Sequence, residues 1–224
     1  MKTILINFFV LVCFYFCISS NSFGFSYKET HEFEIYRNAK KIGFHKLFFK
    51  KEDNQIIVNS QIRMTVKFGF LTIFKYMHDG EEIWYENNFI KANTTTQKNN
   101  RNFKFSANRK DSKIVINSRG KEFFVNEDSL ITSYWNQKWL NKKILIDSQH
   151  GKKRFIKVQK KEIENITTAY GNILAQRYKV TGKQDKPNGK KIDYDIWYDE
   201  KKRWVKIKFF IKNSNIEYFL VTTY

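Results

Sequence analysis

Strict alternation of apolar and polar residues constrains this chain more than any other feature. In "NFKFSAN", residues 102–108, Phe103, Phe105 and Ala107 fall on one side of an extended strand, and in "KIVIN", residues 113–117, so do Ile114 and Ile116. Strand side chains point to the two faces in turn, so this period marks half-buried β-strands. With "RKDS" as the turn, Ala107 is expected opposite Ile114 and Phe105 opposite Ile116. The same signature recurs at about 30–37, 41–50, 54–67, 70–77, 82–91, 121–126, 153–160, 173–181, 192–199, 203–211 and 216–223. Turn signals punctuate it at 38–40, 78–81, 118–121, 150–152 and 186–190, and the chain's one proline, Pro187, sits in the last of these. The expected fold is mainly β: one curled antiparallel sheet, a half-barrel or open barrel of about ten strands.

One stretch departs from the pattern. In "SLITSYWNQKWLNKK", residues 129–143, Ile131, Trp135 and Trp139 recur every four residues, with Leu130, Tyr134 and Leu140 beside them. This predicts a short helix with one apolar side, capped by Ser129 or Ser133 and packed on the concave side of the sheet.

The stretch "DYDIWYDEKKRWVKIKFF", residues 193–210, gathers three aspartates, two tryptophans and a lysine run. Folded about "DEKK" as a hairpin, it sets Trp197 opposite Trp204, Asp195 opposite Lys206 and Asp193 opposite Lys208. Cross-strand aromatic and opposite-charge pairs of this kind stabilise a ladder by about 0.2–1 kcal/mol each. The acidic cluster needs no catalytic role.

The first 24 residues carry one cation, Lys2, an apolar run from Ile4 to Ile18 broken only by Asn7, and small residues at Ser22 and Gly24. That is the layout of a secretory signal cut between Gly24 and Phe25, leaving a single domain, residues 25–224, in the periplasm or outside the cell. A bilayer-spanning helix takes about 20 apolar residues, more than this run offers. Both cysteines, Cys13 and Cys17, lie in this segment, so disulfides, thiol nucleophiles and thiolate metal sites are excluded from the rest. The residues from 25 onward carry a net charge of +18, 40 Lys and Arg against 22 Asp and Glu, which draws the protein toward anionic surfaces.

No familiar catalytic motif is present. His31, His45, His78 and His150 fall in different predicted elements with no metal-ligand spacing, and are read as ordinary surface or strand histidines. No two glycines stand two apart, which excludes dinucleotide fingerprints and P-loops, and no G-x-S-x-G elbow occurs. The paired carboxylates Glu32/Glu34 and Glu81/Glu82 are not selected by anything local for sugar hydrolysis. The expectation is a protein that is not an enzyme, with no cofactor, no metal and no catalytic residues. Nucleic acid is excluded as a partner, since export removes the protein from it.

The segments "KKIGFHKLFF", "EIWYENN", "SYWNQKWL" followed by "ILIDSQHG", "AQRYKVTGK", "YDIWYDEKKRWVKIKF" and "IEYFLV" together resemble an uncharacterised family of secreted proteobacterial β proteins, known only as a domain of unknown function. That family is similar in architecture to the Lol-type carriers that localise lipoproteins in the bacterial envelope, where a curled sheet holds an acyl chain against a helical lid. This chain departs from the family in its lysine loading and in the "GKQDKPNGKKI" insertion. The resemblance implies a binding or carrier module for a hydrophobic or lipid-like ligand. Of 39 aromatic residues, 33 follow residue 24, more than a thin sandwich needs, and Trp84, Tyr134, Trp135, Trp139, Tyr178, Trp197 and Trp204 are the expected ligand-binding residues. The lysine-rich rim suits an anionic membrane surface. A structural or envelope-interaction role without a pocket is the alternative, with an outer-membrane barrel further behind. Oligomeric state is not legible in the sequence.

Overall fold

The computed structural model describes residues 25–224 apart from 127, 187 and 212; the expected leader lies outside the described residues. The architecture is mainly β, as the alternation requires, but with fifteen strands among the described residues in place of about ten. These are β1 (Thr30–Arg37), β2 (Lys40–Glu52), β3 (Gln55–Phe68), β4 (Leu71–Tyr85), β5 (Asn88–Lys98), β6 (Arg101–Lys110), β7 (Lys113–Ser118), β8 (Lys121–Asn126), β9 (Leu130–Ile131), β10 (Ile144–Ile146), β11 (Lys153–Thr168), β12 (Gly171–Gln184), β13 (Lys191–Asp199), β14 (Trp204–Ile211) and β15 (Ser214–Leu220).

All belong to one sheet. Strands β1 to β8 meander in order, and β15 back to β11 continues from the other side of β1, with β10 and β9 beyond. The sheet does not close: β8 and β9 are its two edges. Yet only residues 127–129 separate those strands in sequence, and four peptide steps span at most about 14 Å. The sheet is therefore curled until its edges come together at that corner, and Phe33, Ile35, Trp84, Tyr198 and Trp204 fill the inside.

Three sequence expectations require correction. The expected helix is not α-helical: the segment forms β9, an irregular stretch and a single 3-10 turn, Gln137–Asn141, capped by Asn136, whose side chain accepts from the Lys138 amide. Tertiary partners override the four-residue period here. The carbonyls of Tyr134 and Trp135 accept from the Tyr198 and Tyr27 hydroxyls at 2.7 and 2.8 Å, so they are not available to a helix.

The hairpin registers are the second correction. Ala107 stands opposite Ile116 and Arg109 opposite Ile114, a shift of two that leaves every side chain on its expected face. At β13–β14, Ile196 pairs with Ile207, Trp197 with Lys206 and Tyr198 with Trp204, with a bulge between Trp197 and Tyr198. A bulge adds one residue to one strand and reverses the facing of the residues beyond it. Trp197 and Trp204 therefore do not face each other: Trp204 packs inside on Phe33 (4.2 Å) and Tyr218 (5.8 Å), while Trp197 lies under Lys206 and donates to Glu164 at 2.8 Å. Asp193 and Asp195 share Lys179 of β12, at 2.6 and 3.1 Å, and Lys206 pairs with Glu217.

The third is the expected turn at 78–81. Strand β4 runs unbroken through it, and the reversal comes at Glu86 and Asn87, both at positive φ, as a tight two-residue hairpin demands. Asp79-Gly80 reads as a turn, but Gly80 is there for packing: a Cβ on it would lie 2.8 Å from Ser60 Oγ and 3.3 Å from Thr94 Cγ2.

Candidate functional site

Carrying β4 straight through residues 78–81 puts Tyr76, His78, Gly80, Glu82 and Trp84 on one face, the inner one. The first four of these, with His45 and Leu47 of β2, Ser60 and Ile62 of β3, and Ile207, Phe209 and Tyr218 across the interior, line a cavity of about 170 Å³. Its remaining wall comes from the segment that crosses the concave side: Thr132 to Trp135, Asp147 to Gln149, and Arg154 at the start of β11.

The wall mixes two chemistries. Leu47, Ile62, Ile207 and Phe209 supply apolar surface. Among them stand titratable groups in unusual states, with Ile62 flanked in register by His45 and His78. His45 is buried, and neither ring nitrogen has a hydrogen-bond partner among the described residues. Burial, with smaller contributions from His78 and His31, lowers its pKa from 6.5 to about 3. His78 is also buried; its Nδ1 is 2.7 Å from the Thr96 hydroxyl, and burial takes its pKa down to about 4. Both rings are neutral at pH 7. Glu82 is pushed the other way: burial raises its pKa, while indole N–H donors from Trp84 (2.9 Å) and Trp135 (3.2 Å) pull it back. For Asp147, burial is outweighed by His150, Arg154 and the Gln149 amide, which hold the carboxyl well below the usual carboxylate range. Arg154 donates to Asp147 through both Nε and Nη2. The side-chain nitrogen of Gln149 is buried in the same wall without a partner among the described residues.

Of the seven aromatic residues singled out by the sequence, Tyr134, Trp135 and Trp204 line this cavity. Trp84 backs it, edge-on to Trp135 with ring centroids 5.2 Å apart. Trp139 is buried in the core, its indole donating to the Tyr198 hydroxyl at 2.9 Å. Tyr178 packs against Tyr198 on the β12 side, and Trp197 faces outward, so neither reaches the cavity. Three of the histidines read as surface or strand residues, His31, His45 and His78, stand in strands β1, β2 and β4, and all three are buried on the inner face. His31 is fully matched, with Nε2 2.6 Å from the Trp204 carbonyl and Nδ1 on the Tyr224 hydroxyl. A carbonyl only accepts, so Nε2 carries the proton and Nδ1 accepts.

His45, His78, Glu82, Asp147 and Arg154 are the site residues that sequence reasoning missed. The period-two run Tyr76, His78, Gly80, Glu82, Trp84 was the available signal. Among the described residues no cluster of three or more His, Cys, Asp or Glu could hold a metal ion. A wider open trough, about 1100 Å³, runs over the outer face of β3 to β7. Its lining includes Asn59, Gln61, Asn93 and Lys104, and Asp79 is ion-paired with Arg63 at 2.7 Å; it reads as a solvated sheet surface.

An incomplete ring of strands, antiparallel except for the β9–β10 pair, around a partly polar interior defines a β-barrel-like domain. Within that class, the chain belongs to the family described as "Domain of unknown function (DUF6134)", whose family model matches residues 33–221. Its fold is similar to that of a β-barrel-like protein of the DUF1849 family from Brucella abortus, with a TM-score of 0.57 at 9% identity, covering 88% of this chain and 98% of that one. Two other solved structures align less well: the hypothetical lipoprotein YmcC of Escherichia coli (TM-score 0.33, 9% identity, 88% and 86% covered) and a DUF1089 family protein of Pseudomonas aeruginosa (0.34, 12%, 77% and 88%). Comparison with curated proteins finds no match.

Proposed function

We propose that this protein is an exported, non-enzymatic binding module whose interior cavity takes one end of a hydrophobic or lipid-like molecule. The observation that carries this reading is His45. A buried polar group without a partner costs about 1–3 kcal/mol, and a chain that evolves freely replaces such a group with an apolar residue unless something binds it. His45 offers one donor and one acceptor as a neutral imidazole, and the Gln149 amide adds donors to the same cavity lining. Leu47, Ile62, Ile207 and Phe209 line the same cavity, Ile62 directly beside His45 in the register. The complementary ligand is amphiphilic, with an uncharged hydroxyl, amide or ester at the imidazole and carbon against these apolar side chains. Arg154 is already engaged by Asp147, so an anionic head group is not called for inside.

Size narrows the ligand further. The cavity of about 170 Å³ is smaller than the roughly 300–1,000 Å³ of pockets that swallow drug-sized molecules, and corresponds to about six waters. A whole acyl chain does not fit beside the 130–150 segment, which already occupies the concave side. That same filling favours the second reading, a structural envelope protein whose cavity holds only water.

Native mass spectrometry of protein purified from its own host separates the two. The binding reading predicts a bound species of defined mass that is lost in His45→Phe, a variant that fills the space and removes both nitrogens. A wild-type protein that carries no adduct, with ordered water alone against His45 at high resolution, supports the structural reading instead.

A further inference from the structure

Strands β3 and β4 are longer than their neighbours. The register of β2 on β3 stops at Met64, and that of β5 on β4 stops at Tyr76, so residues 65–75 project as a two-stranded arm. Its tip is apolar: Phe68, Phe70, Leu71 and Ile73 are between 54% and 104% exposed. A bulge at Val66/Lys67, with Ile73 as the extra residue of β4, sets Phe68 opposite Leu71 as a cross-strand pair on one face. Phe70 sits in the turn beyond them, so the apolar side chains are gathered at the end of the arm, where no other strand covers them.

The surroundings of the arm have a sign. Successive hairpin turns alternate between the two ends of a meander, so the arm lies at the same end as the β1–β2, β5–β6, β7–β8, β12–β13 and β14–β15 turns. That end carries exposed cations in Lys40, Lys67, Lys75, Arg101, Lys121 and Lys190, and the acids among its turns are few, chiefly Glu122 and Asp185. Phe210 and Ile211, also exposed, flank the β14–β15 turn there. The opposite end serves as an internal control. It has its own projecting hairpin, β11–β12, with Ile163, Tyr170 and Leu174 exposed. Its turns, however, mix Glu52, Asp53, Glu86, Asp111, Glu162 and Glu200 with their lysines, so its cations are more nearly balanced than those around the arm.

We infer that the β3–β4 arm inserts its tip into the surface of an anionic phospholipid bilayer, with the basic turns around it seated on the head groups. Stable peripheral attachment takes two signals, apolar side chains below the head groups and clustered cations among them; this end of the molecule has both in full, and the other sets acids among its cations. The proposal stands apart from the occupancy of the interior cavity and shares no residue with it.

Vesicle co-sedimentation tests it. Wild-type protein should pellet with phosphatidylglycerol–phosphatidylcholine vesicles, bind pure phosphatidylcholine weakly, and lose binding as salt rises. Phe70→Ser with Leu71→Ser should weaken binding by about tenfold or more, as should Lys67→Glu with Lys75→Glu. Tyr170→Ser with Leu174→Ser on the other hairpin should change nothing. Because the arm lies outside the packed core, all three should keep the wild-type melting temperature. As a second measurement, the emission of Phe70→Trp should shift to the blue with anionic vesicles and not with neutral ones. Wild-type protein left in the supernatant with anionic vesicles, or equal losses from the two pairs of serine substitutions, overturns the proposal. So does a tip that loses a co-purifying protein on mutation while wild type ignores vesicles.

Discussion

The interior has two halves that differ in how their polar atoms are treated. Around Trp139 everything is matched: its indole donates to Tyr198, Tyr198 donates to the Tyr134 carbonyl, and the Tyr27 hydroxyl bridges the Trp135 carbonyl and the Trp204 amide. Around His45, elsewhere in the same barrel, ring nitrogens stand free and a cavity remains. Both halves are built from the same sheet and are comparably rich in aromatic residues, so composition does not separate them. The difference teaches that the aromatic load of the chain is used for architecture, and that the chemistry lies where a few polar residues interrupt it.

The largest effect expected from breaking this contrast is at Trp139. Trp139→Ala removes a side chain that is 1% exposed and strands the Tyr198 hydroxyl; it should cost about 3–5 kcal/mol, read as a fall of about 10 °C or more in Tm by calorimetry. Next is the ion pair that walls the cavity. Asp147→Asn leaves the Arg154 guanidinium without its carboxylate and should cost about 3 kcal/mol by denaturant melts. The Asp147 carboxyl has its folded pKa depressed, so its contribution is complete above about pH 4 and is lost as pH falls further; the variant should therefore lose less than wild type on strong acidification.

The smallest effect discriminates best. His31 and His45 are both buried neutral imidazoles on neighbouring strands, but only His31 is matched. His31→Phe, which orphans the Trp204 carbonyl, should destabilise by about 1–2 kcal/mol, whereas His45→Phe should be neutral or stabilising by about 1 kcal/mol. The two also share a pH dependence. Each ring has a folded pKa of about 3, below the unfolded 6.5, so the unfolded chain binds more protons across that window. Stability is then full above about pH 6.5 and falls as pH drops toward 4, by up to about 1.4 kcal/mol per pH unit for each histidine. Melting curves of His45→Phe between pH 4 and pH 7, roughly the titrating window, should show the shallower slope.

The fold was legible because period-two alternation survives almost any register. The expected β6–β7 pairing slipped by two residues yet kept Phe105, Ala107, Ile114 and Ile116 inside. Where a bulge intervened, at Trp197 and Tyr198, local alternation lost the side assignment of Trp204, since an extra residue in one strand has no local signature. The candidate site was less legible for a related reason. Asp79-Gly80 carries the composition of a turn, and reading it as one cut the row Tyr76, His78, Glu82, Trp84 in half. Only the approach of Ser60 and Thr94 from neighbouring strands explains the glycine, and such an approach is invisible until the sheet is assembled. The 130–140 segment misled in the opposite direction, because a four-residue aromatic period there serves a tyrosine network in place of a helix.

Histidine ring NMR titration of His45 tests the central claim most directly, that a closed interior keeps an unmatched imidazole neutral against a small cavity. The account predicts a single neutral ring that does not titrate between pH 7 and pH 5, in keeping with a pKa of about 3. A His45 that titrates near 6.5, as in an unfolded chain, would contradict it, because strands β2 and β4 could not then be turning that face inward.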